Sequence, residues 1–212
     1  PSRGLGDVYK RQEKIVFATG GYGGKEINEL KNYWLPIKTF IGVTKPMGDE
    51  LQSVLKKPLG FSDNRRAGNY YRVLPGNRLS WGRGISAVAN YSRSSLKKVI
   101  SKEISYFFPE LKNIEIDYVW SGNMAYASHY MPYVGATRIG HEDKNVFTIM
   151  GFGGHGMNTA PGAAMVLADF MLGKGNNYQV FNKFSRKWNG GLIGPYIACL
   201  LYTSDAADDI PR

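Results

Sequence analysis

A glycine-rich run in the second half of the chain is its most distinctive candidate for chemistry. Gly151-Phe152-Gly153-Gly154-His155-Gly156 follows an apolar stretch at 146–150 and precedes Met157 and an alanine-rich segment. A buried strand, a glycine turn and a helix N-terminus, in this order, present backbone N–H groups and a positive dipole to an anionic or electron-rich ligand. The run therefore predicts a cofactor-binding loop.

The glycine spacing also satisfies G-x-G-x-x-G, the fingerprint of dinucleotide-binding βαβ units. That fingerprint requires a second parallel strand and an acidic residue about 20 residues further on. After the predicted helix the sequence reads Lys174-Gly175-Asn176-Asn177, and then a short helical pattern over 178–188. Because neither a Val/Ile-rich strand nor a suitably placed acid follows, we expect a cofactor loop that does not open a Rossmann unit.

Other side chains are candidates for contacts with a substrate or cofactor. His155 could hydrogen-bond a cofactor or a substrate carboxylate, or it could simply be tolerated in the turn. Arg72 could bind a carboxylate, with Tyr70 and Tyr71 beside it in a pocket. The alternative for this segment is a strand with one core face and one surface face. Trp120 is expected in the core, since its strand alternates apolar residues on that face.

The remaining histidines and the single cysteine exclude several kinds of site. His129 has a conceivable position on the substrate side, and His141 reads as a solvated turn. The histidines do not have metal-ligand spacing, so no metal is predicted. Cys199 is the only cysteine, so the chain has no disulfide framework. No apolar run approaches the length of a membrane span, and no contact with a membrane is predicted.

Several elements must position these residues. Strands are expected at 14–18 and 34–44, and a hairpin at 70–74 and 78–81 around a Pro-Gly-Asn turn. A helix over 94–108, capped by Ser94 or Ser95 and stopped by Pro109, carries an apolar stripe. An alternating strand follows at 114–120. An amphipathic helix on an antiparallel sheet is the expected product.

A second predicted helix, 159–172, differs because Asp169 is its only charge. Such a helix is expected to be buried nearly all round and to belong to another, larger core. Two layers with different neighbours predict two interleaved domains of mixed α+β and α/β character.

Both ends of the chain have sequences that do not match the predicted elements. Residues 1–12 and 199–212 each resemble the in-frame translation of a sequencing adapter, so we interpret them as artefacts that flank a segment cut from a longer gene. Ordinary flexible tails are the alternative. The tails carry compensating charges, so the net charge of +10 belongs to the interior.

The ordered set of motifs resembles the D-amino-acid-oxidase-like flavoproteins, in particular their gamma-glutamylputrescine-oxidase and glycine-oxidase-like branch. The resemblance covers most of 13–198 and corresponds to the C-terminal half of the family. It is carried by Ala18-Thr19-Gly20-Gly21, Tyr70-Tyr71-Arg72, Arg78-Leu79-Ser80-Trp81-Gly82, Trp120-Ser121-Gly122, Met131-Pro132-Tyr133-Val134-Gly135 and the glycine run at 151–156.

The resemblance implies the C-terminal part of a two-domain FAD-dependent oxidoreductase that oxidises a C–H bond next to an amine, by hydride transfer to the flavin and with oxygen as the common acceptor. It implies an end of the FAD-binding domain at 13–32, a substrate-binding domain at 33–120 and a return to the FAD-binding domain at 121–198. The implied FAD-contacting residues are Ala18, Thr19, Gly20, Gly153, Gly154, His155, Gly156 and Met157. His155, Arg72 and Tyr71 are the candidates for catalysis.

The part of the family that holds the ADP moiety of FAD should precede Glu13, so we expect the isolated chain to bind FAD poorly and to be inactive. The expected partner is a small amine or amino-acid substrate, without nucleic acid, in the cytoplasm; the oligomeric state stays open. Two alternatives remain. One is a basic nucleic-acid-binding module, given a pI near 9.6 and interleaved Tyr and Arg. The other is a non-catalytic flavoprotein relative.

Overall fold

The computed structural model describes residues 13–23, 30, 32–65, 68–137, 145–184 and 187–207, with the backbone alone for 182 and 201–207. Its elements are β1 (Ile15–Phe17), β2 (Trp34–Thr44), α1 (Gly48–Val54), β3 (Gly60–Ser62), β4 (Tyr70–Leu74), β5 (Arg78–Ser86), α2 (Arg93–Phe107), β6 (Ile116–Ala127), β7 (Tyr133–Ala136), β8 (Val146–Met150), α3 (Gly156–Met171) and α4 (Gly194–Ala207). Short 3-10 helices lie at Gly20–Tyr22 and Asn177–Lys183. The fold is mixed α+β. The chain divides into unit 1, which combines 1–36 with 123–194, and unit 2, which combines 37–122 with 195–212.

Unit 1 is built on a three-stranded sheet in the order β1-β8-β7. β8 runs parallel to β1 and antiparallel to β7, and all five of its residues are buried. Because successive side chains point to opposite faces of a strand, β8 contributes to two cores. Phe147 and Ile149 pack with Ala163 and Leu167 of α3, whereas Met150 belongs to an aromatic cluster with other parts of unit 1.

Unit 2 is a five-stranded sheet in the order β3-β4-β5-β2-β6, with one face covered by α2. The pairs β3–β4, β4–β5 and β2–β5 are antiparallel. Leu96, Ile100 and Ile104 of α2 are buried, and full burial of one such side chain contributes about 1.5–3 kcal/mol. A Cβ on Gly42 would lie 2.8 Å from Cδ1 of Ile100, so this glycine lets the helix approach the sheet closely. The predicted amphipathic helix on an antiparallel sheet is confirmed.

The ends of α2 differ slightly from the predicted 94–108. The helix begins at Arg93, and the Ser92 hydroxyl accepts a hydrogen bond of 3.1 Å from the N–H of Ser95. The cap is therefore Ser92, because its side chain reaches the third helical residue. The helix ends at Phe107, as expected before Pro109, which cannot continue it.

The predicted hairpin is confirmed, with Leu74 facing Arg78. Gly76 and Asn77 have φ of +77° and +50°. Glycine and asparagine are the residue types that tolerate this left-handed region, so the turn follows from the local sequence.

Two predictions of burial are wrong for the chain as it stands. The helix predicted at 159–172 spans 156–171 and buries one stripe, while Met165 and Leu172 are 71% and 67% exposed. The apolar composition of the helix does not determine how many of its faces are covered by other elements. In the described part of unit 1, only the face with Ala163 and Leu167 is covered. Trp120, expected in the core, is 48% exposed, because beyond Ile116 it is Val119 that packs against the core of unit 2, and Trp120 points to the opposite face of the strand.

Candidate functional site

The glycine loop follows directly from β8, the central strand of the unit 1 sheet. Gly151, Gly153 and Gly154 have φ of +86°, +55° and +86°, a region that costs an L side chain about 1–2 kcal/mol. Two hydrogen bonds fix the loop: the Gly153 N–H donates to the Ala125 carbonyl at 3.0 Å, and the His155 N–H donates to the Phe152 carbonyl at 2.9 Å. The predicted strand, glycine turn and helix are all present.

Two side chains of β6 lie against this loop. A Cβ on Gly154 would be 3.1 Å from Oη of Tyr126 and 3.2 Å from Sδ of Met124, and a Cβ on Gly153 would be 3.5 Å from the Tyr126 ring. The missing side chains therefore let Tyr126 and Met124 approach the loop backbone. Sequence reasoning did not assign either residue to the site. Their spacing of two predicts a shared strand face, but only the tertiary structure shows that this face meets the loop.

The loop ends at the uncapped N-terminus of α3. Its cap residue, His155, makes no side-chain capping hydrogen bond, and the first turn contains no acidic residue. The N–H groups of Gly156, Met157 and Asn158 have no intrahelical acceptor by helix geometry. The first turn itself therefore carries no negative charge that would compete with an anionic or electron-rich group for the positive end of the helix dipole. The His155 and Met157 side chains are exposed at this end.

The parallel pairing of β1 and β8 brings the second predicted cofactor segment to the same sheet edge. Phe17 faces Thr148 in the register, so Ala18-Thr19-Gly20 leaves β1 beside the end of β8. The Thr19 hydroxyl donates to Sδ of Met150 at 3.1 Å. The two segments that sequence analysis assigned to one cofactor are thus adjacent within unit 1.

The turn after β1 is tied to the first unit 1 residue of β6. A Cβ on Gly21 would lie 2.7 Å from the carbonyl carbon of Asn123, so only glycine permits this approach. The hydroxyl of Tyr22 accepts a hydrogen bond of 2.9 Å from the Asn123 N–H. These two contacts fix the turn after β1 against the backbone of β6.

Arg72 and Tyr71 of unit 2 are neighbours on β4 and point to opposite faces of its sheet. Tyr71 is stacked between Phe61 and Trp81, with ring centroids 5.3 and 4.8 Å apart. Burial, together with the charge of Asp63, raises the pKa of its hydroxyl above the ordinary value. This packing supports the alternative of a strand with one core face and one surface face, and the assignment of Tyr71 and Arg72 to catalysis stays a prediction.

Arg72 lies on the face of the sheet that α2 does not cover, and its side chain is exposed. Tyr70 shares this face: its ring lies across Gly82, where a Cβ would be 2.1 Å from Cε2, and its hydroxyl is 3.0 Å from Oγ1 of Thr39. This face therefore offers the Arg72 guanidinium and a fixed phenol for binding a polar molecule.

His129 is part of the unit 1 interior. Its Nδ1 accepts a hydrogen bond of 3.1 Å from the Met131 N–H, and its Nε2 is 2.9 Å from Oη of Tyr33. Since Nδ1 accepts, the network assigns the ring proton to Nε2, which donates to Tyr33. The Phe184 ring lies 5.3 Å from the imidazole. These contacts give His129 a structural role; His141 lies outside the described residues.

Within the described residues, the chain contains neither a candidate metal site nor a candidate membrane span. No three or more His, Cys, Asp or Glu side chains there are grouped so that they could hold an ion. None of the helices in that part of the chain combines the length and the apolar character that a bilayer crossing needs.

The chain is similar in sequence to a known protein family. The family model described as "FAD dependent oxidoreductase" (DAO) matches residues 2–170. Gamma-glutamylputrescine oxidoreductase of Escherichia coli strain K12 is 26% identical over 169 residues, which are 79% of this chain and 38% of that protein. A probable oxidoreductase OrdL of Haemophilus influenzae is 28% identical over 80% of this chain and 38% of its own length.

Solved structures show the same fold. Glycine oxidase from Geobacillus kaustophilus superposes with a TM-score of 0.60 at 19% identity, covering 82% of this chain and 45% of that one. L-proline dehydrogenase from P. horikoshii gives a TM-score of 0.60 at 18% identity, with 79% and 45% covered. The chain therefore spans less than half the length of these relatives.

Proposed function

The chain belongs to the FAD dependent oxidoreductase family, and from this premise we propose that it is part of an enzyme that oxidises the C–H bond next to an amine. The observation that carries the proposal is the uncapped N-terminus of α3 behind a glycine loop. Family membership supports FAD as the cofactor. The names of the relatives, a gamma-glutamylputrescine oxidoreductase and a glycine oxidase, support an amine or amino-acid substrate.

The residues of unit 1 fit a flavin. Bound FAD would supply a hydride acceptor, whose ring gains negative charge at its N1–C2=O edge on reduction. The N–H groups of Gly156 and Met157, with the dipole of α3, would stabilise that charge. Gly153 and Gly154 carry no side chain, so Tyr126 and Met124 can pack against the loop backbone and hold it in place. His155 would present a ring N–H at the same end.

The second predicted FAD-contacting segment would act at the end of β1. Ala18, Thr19 and Gly20 follow the strand that pairs with β8, so their backbone would pass close to the cofactor. The bond from the Thr19 hydroxyl to Met150 would hold this segment in place. The role of these three residues is to position the ring, since none of them carries a group that titrates near neutral pH.

Arg72 is our candidate for binding the substrate. Its exposed guanidinium can bind a carboxylate in a bidentate geometry. Hydride transfer needs no protein nucleophile, so the protein's task is to bind and orient the substrate. Oxygen is the proposed electron acceptor.

We further propose that the active protein is longer than this chain. The curated relatives are matched over 38% of their length. Met165 of α3 and Leu172 directly after it are exposed, and so are Ile15 and Val16 of the edge strand β1. Exposed apolar side chains that lie together typically mark an interface, and the remainder of the polypeptide is the proposed occupant.

The experiment uses the protein encoded by the complete reading frame, purified and mixed without oxygen with candidate amines. Glycine, N-methylglycine and a glutamylated polyamine should be compared. Bleaching of a bound yellow flavin by one of them, followed by peroxide formation when oxygen is admitted, is the expected result. A colourless protein that is retained on DNA in a salt-dependent way would contradict the proposal and favour a nucleic-acid-binding module.

The role of Arg72 is tested in the same protein. Arg72→Gln should raise KM by about tenfold for a carboxylate-bearing substrate, because it removes one charge-assisted hydrogen-bonding pair. The matched control is Lys57→Gln, which removes an exposed charge elsewhere in unit 2. Equal KM values for the two variants would exclude Arg72 from substrate binding.

A further inference from the structure

A groove of about 640 Å³ opens in unit 2, and none of the residues assigned above to cofactor or substrate lines it. Val99, Lys102 and Tyr106 of α2 line it, together with residues 63–65 after β3 and with Arg83 of β5. This volume falls within the range of about 300–1,000 Å³ that small-molecule sites occupy. The groove is therefore large enough for a ligand of its own.

The carboxylates of the groove are already engaged. Asp63 accepts hydrogen bonds from the Arg65 guanidinium at 2.5 and 3.1 Å. Glu103 accepts one from Nε1 of Trp81 at 3.1 Å and one from Nε of Arg83 at 3.2 Å. Both carboxylates therefore hold neighbouring side chains of the groove in place, and their charges are already paired with arginine side chains.

Lys102 leaves one positive charge of the wall unbalanced. Among the residues that the structure describes, no carboxylate lies within ion-pairing distance of its Nζ, whereas the lining cations Arg65 and Arg83 each have an acidic partner. A groove with an excess positive charge favours an anion.

Exposed aromatic rings form the apolar part of the groove. Tyr106 and Phe107 are 69% and 39% exposed, and their rings meet edge to face at 5.5 Å. The Arg65 guanidinium lies over Phe107, 5.6 Å from the ring centroid, so one ring is already partly covered by a cation. Tyr106 remains open to stack with a flat apolar ligand.

The helix sets the spacing between charge and ring. Lys102 and Tyr106 are four residues apart on α2, so they lie on the same helix face, about 6 Å apart along its axis. A ligand that satisfies both needs an anionic group separated from a ring by a short aliphatic spacer.

We propose that this groove is a binding site for a small aromatic carboxylate, with the ring against Tyr106 and the carboxylate at Lys102. The site is distinct in residues from the glycine loop of unit 1 and from the Arg72 face of the unit 2 sheet. The proposed binding does not involve the flavin, so it can be tested on the 212-residue chain itself.

The test is an NMR titration of the ¹⁵N-labelled full chain with 3-phenylpropionate and with its neutral isostere, 3-phenylpropanamide. The acid should cause saturable shifts concentrated at residues 99–107 and at the indole N–H of Trp81, which donates to Glu103 at the groove. It should bind about fivefold more tightly than the amide, the upper value for one exposed ion pair.

Variants separate the charge from the ring. Lys102→Gln should remove the preference for the acid, whereas Lys98→Gln, which changes an exposed lysine of the same helix outside this groove, should keep it. Tyr106→Ala should weaken acid and amide alike. Equal affinity of wild type for acid and amide, an unchanged preference in Lys102→Gln, or no saturable shift with 3-phenylpropionate would each overturn the proposal.

Discussion

At the scale of single residues, glycine and hydrogen-bonded polar groups determine the local geometry of both units. Gly154 can hold φ of +86° against Tyr126 and Met124 because it lacks a side chain. The sequence predicted this loop from the order of an apolar stretch, a glycine-rich run and an alanine-rich segment. It could not predict that Tyr126 and Met124 contact the loop, because contacts between distant segments follow from tertiary packing.

The network of Tyr33 and His129 should contribute measurably to stability. Tyr33→Phe removes the acceptor of the Nε2 proton and should lower the free energy of unfolding by about 1 kcal/mol. Tyr196→Phe, at a position that is 64% exposed, should change it by less than about 0.5 kcal/mol. Equal effects in denaturant titrations would contradict the assigned role of His129.

Asp63 should make the chain sensitive to acid. Burial raises the pKa of its carboxyl, but hydrogen bonds from Arg65 and from the Asn69 N–H outweigh burial, so the pKa lies below the ordinary value of 3.8. A carboxyl with a lowered folded pKa stabilises the fold above its unfolded pKa, and this contribution is lost as pH falls through the folded pKa.

Asp63→Asn should therefore flatten the decline of unfolding free energy between about pH 5 and pH 2. Asp49→Asn, which changes an exposed aspartate of α1, is the control and should leave the decline steep. The prediction fails if the Asp63→Asn and wild-type profiles are parallel over this range.

At the scale of elements, the sequence predicted those helices, strands and turns that follow from apolar periodicity and from proline and glycine positions. The apolar stripe of α2, its stop at Pro109 and the Pro-Gly-Asn turn are local signals, and the structure confirms the helix and the hairpin. Burial of α3 and of Trp120 could not be predicted in the same way. An apolar side chain can be buried at little cost, but whether it is buried depends on which elements pack against it.

The one-sided burial of α3 gives a direct prediction for this chain. Leu167→Ala should destabilise unit 1 by about 2–5 kcal/mol, because it leaves a cavity against the sheet. Met165→Ala should cost less than about 0.5 kcal/mol, since its side chain is exposed. Chemical denaturation followed by circular dichroism would measure both. Similar losses for the two variants would show that both stripes of α3 are covered.

The same substitution should behave differently in the protein from the complete reading frame. If the remainder of the polypeptide covers the second stripe of α3, Met165→Ala should there cost about 2 kcal/mol or more, as in a packed core. If Met165→Ala leaves the free energy of unfolding unchanged in both proteins, the remainder of the polypeptide does not cover this stripe of α3.

At the scale of the whole molecule, a single sequence revealed the family because several weak motifs occur in a fixed order. The family model then matched residues 2–170, and the relatives are matched over 38% of their length. The assignment of 13–32 and 121–198 to the FAD-binding domain and of 33–120 to the substrate-binding domain stays a prediction, as does weak binding of FAD by the isolated chain. Micromolar affinity for FAD in a titration of residues 13–198 would contradict the latter.

The most direct test of the central claim is the flavin content of the protein from the complete reading frame, compared with Gly154→Ala and Gly162→Ala. Gly154 has φ of +86° beside Tyr126, whereas a Cβ on Gly162 of α3 would have no atom within 4 Å. Wild type and Gly162→Ala should carry a full complement of flavin, and Gly154→Ala should lose most of it while remaining folded. Full flavin content with an unchanged visible spectrum in Gly154→Ala would show that this loop does not hold the cofactor.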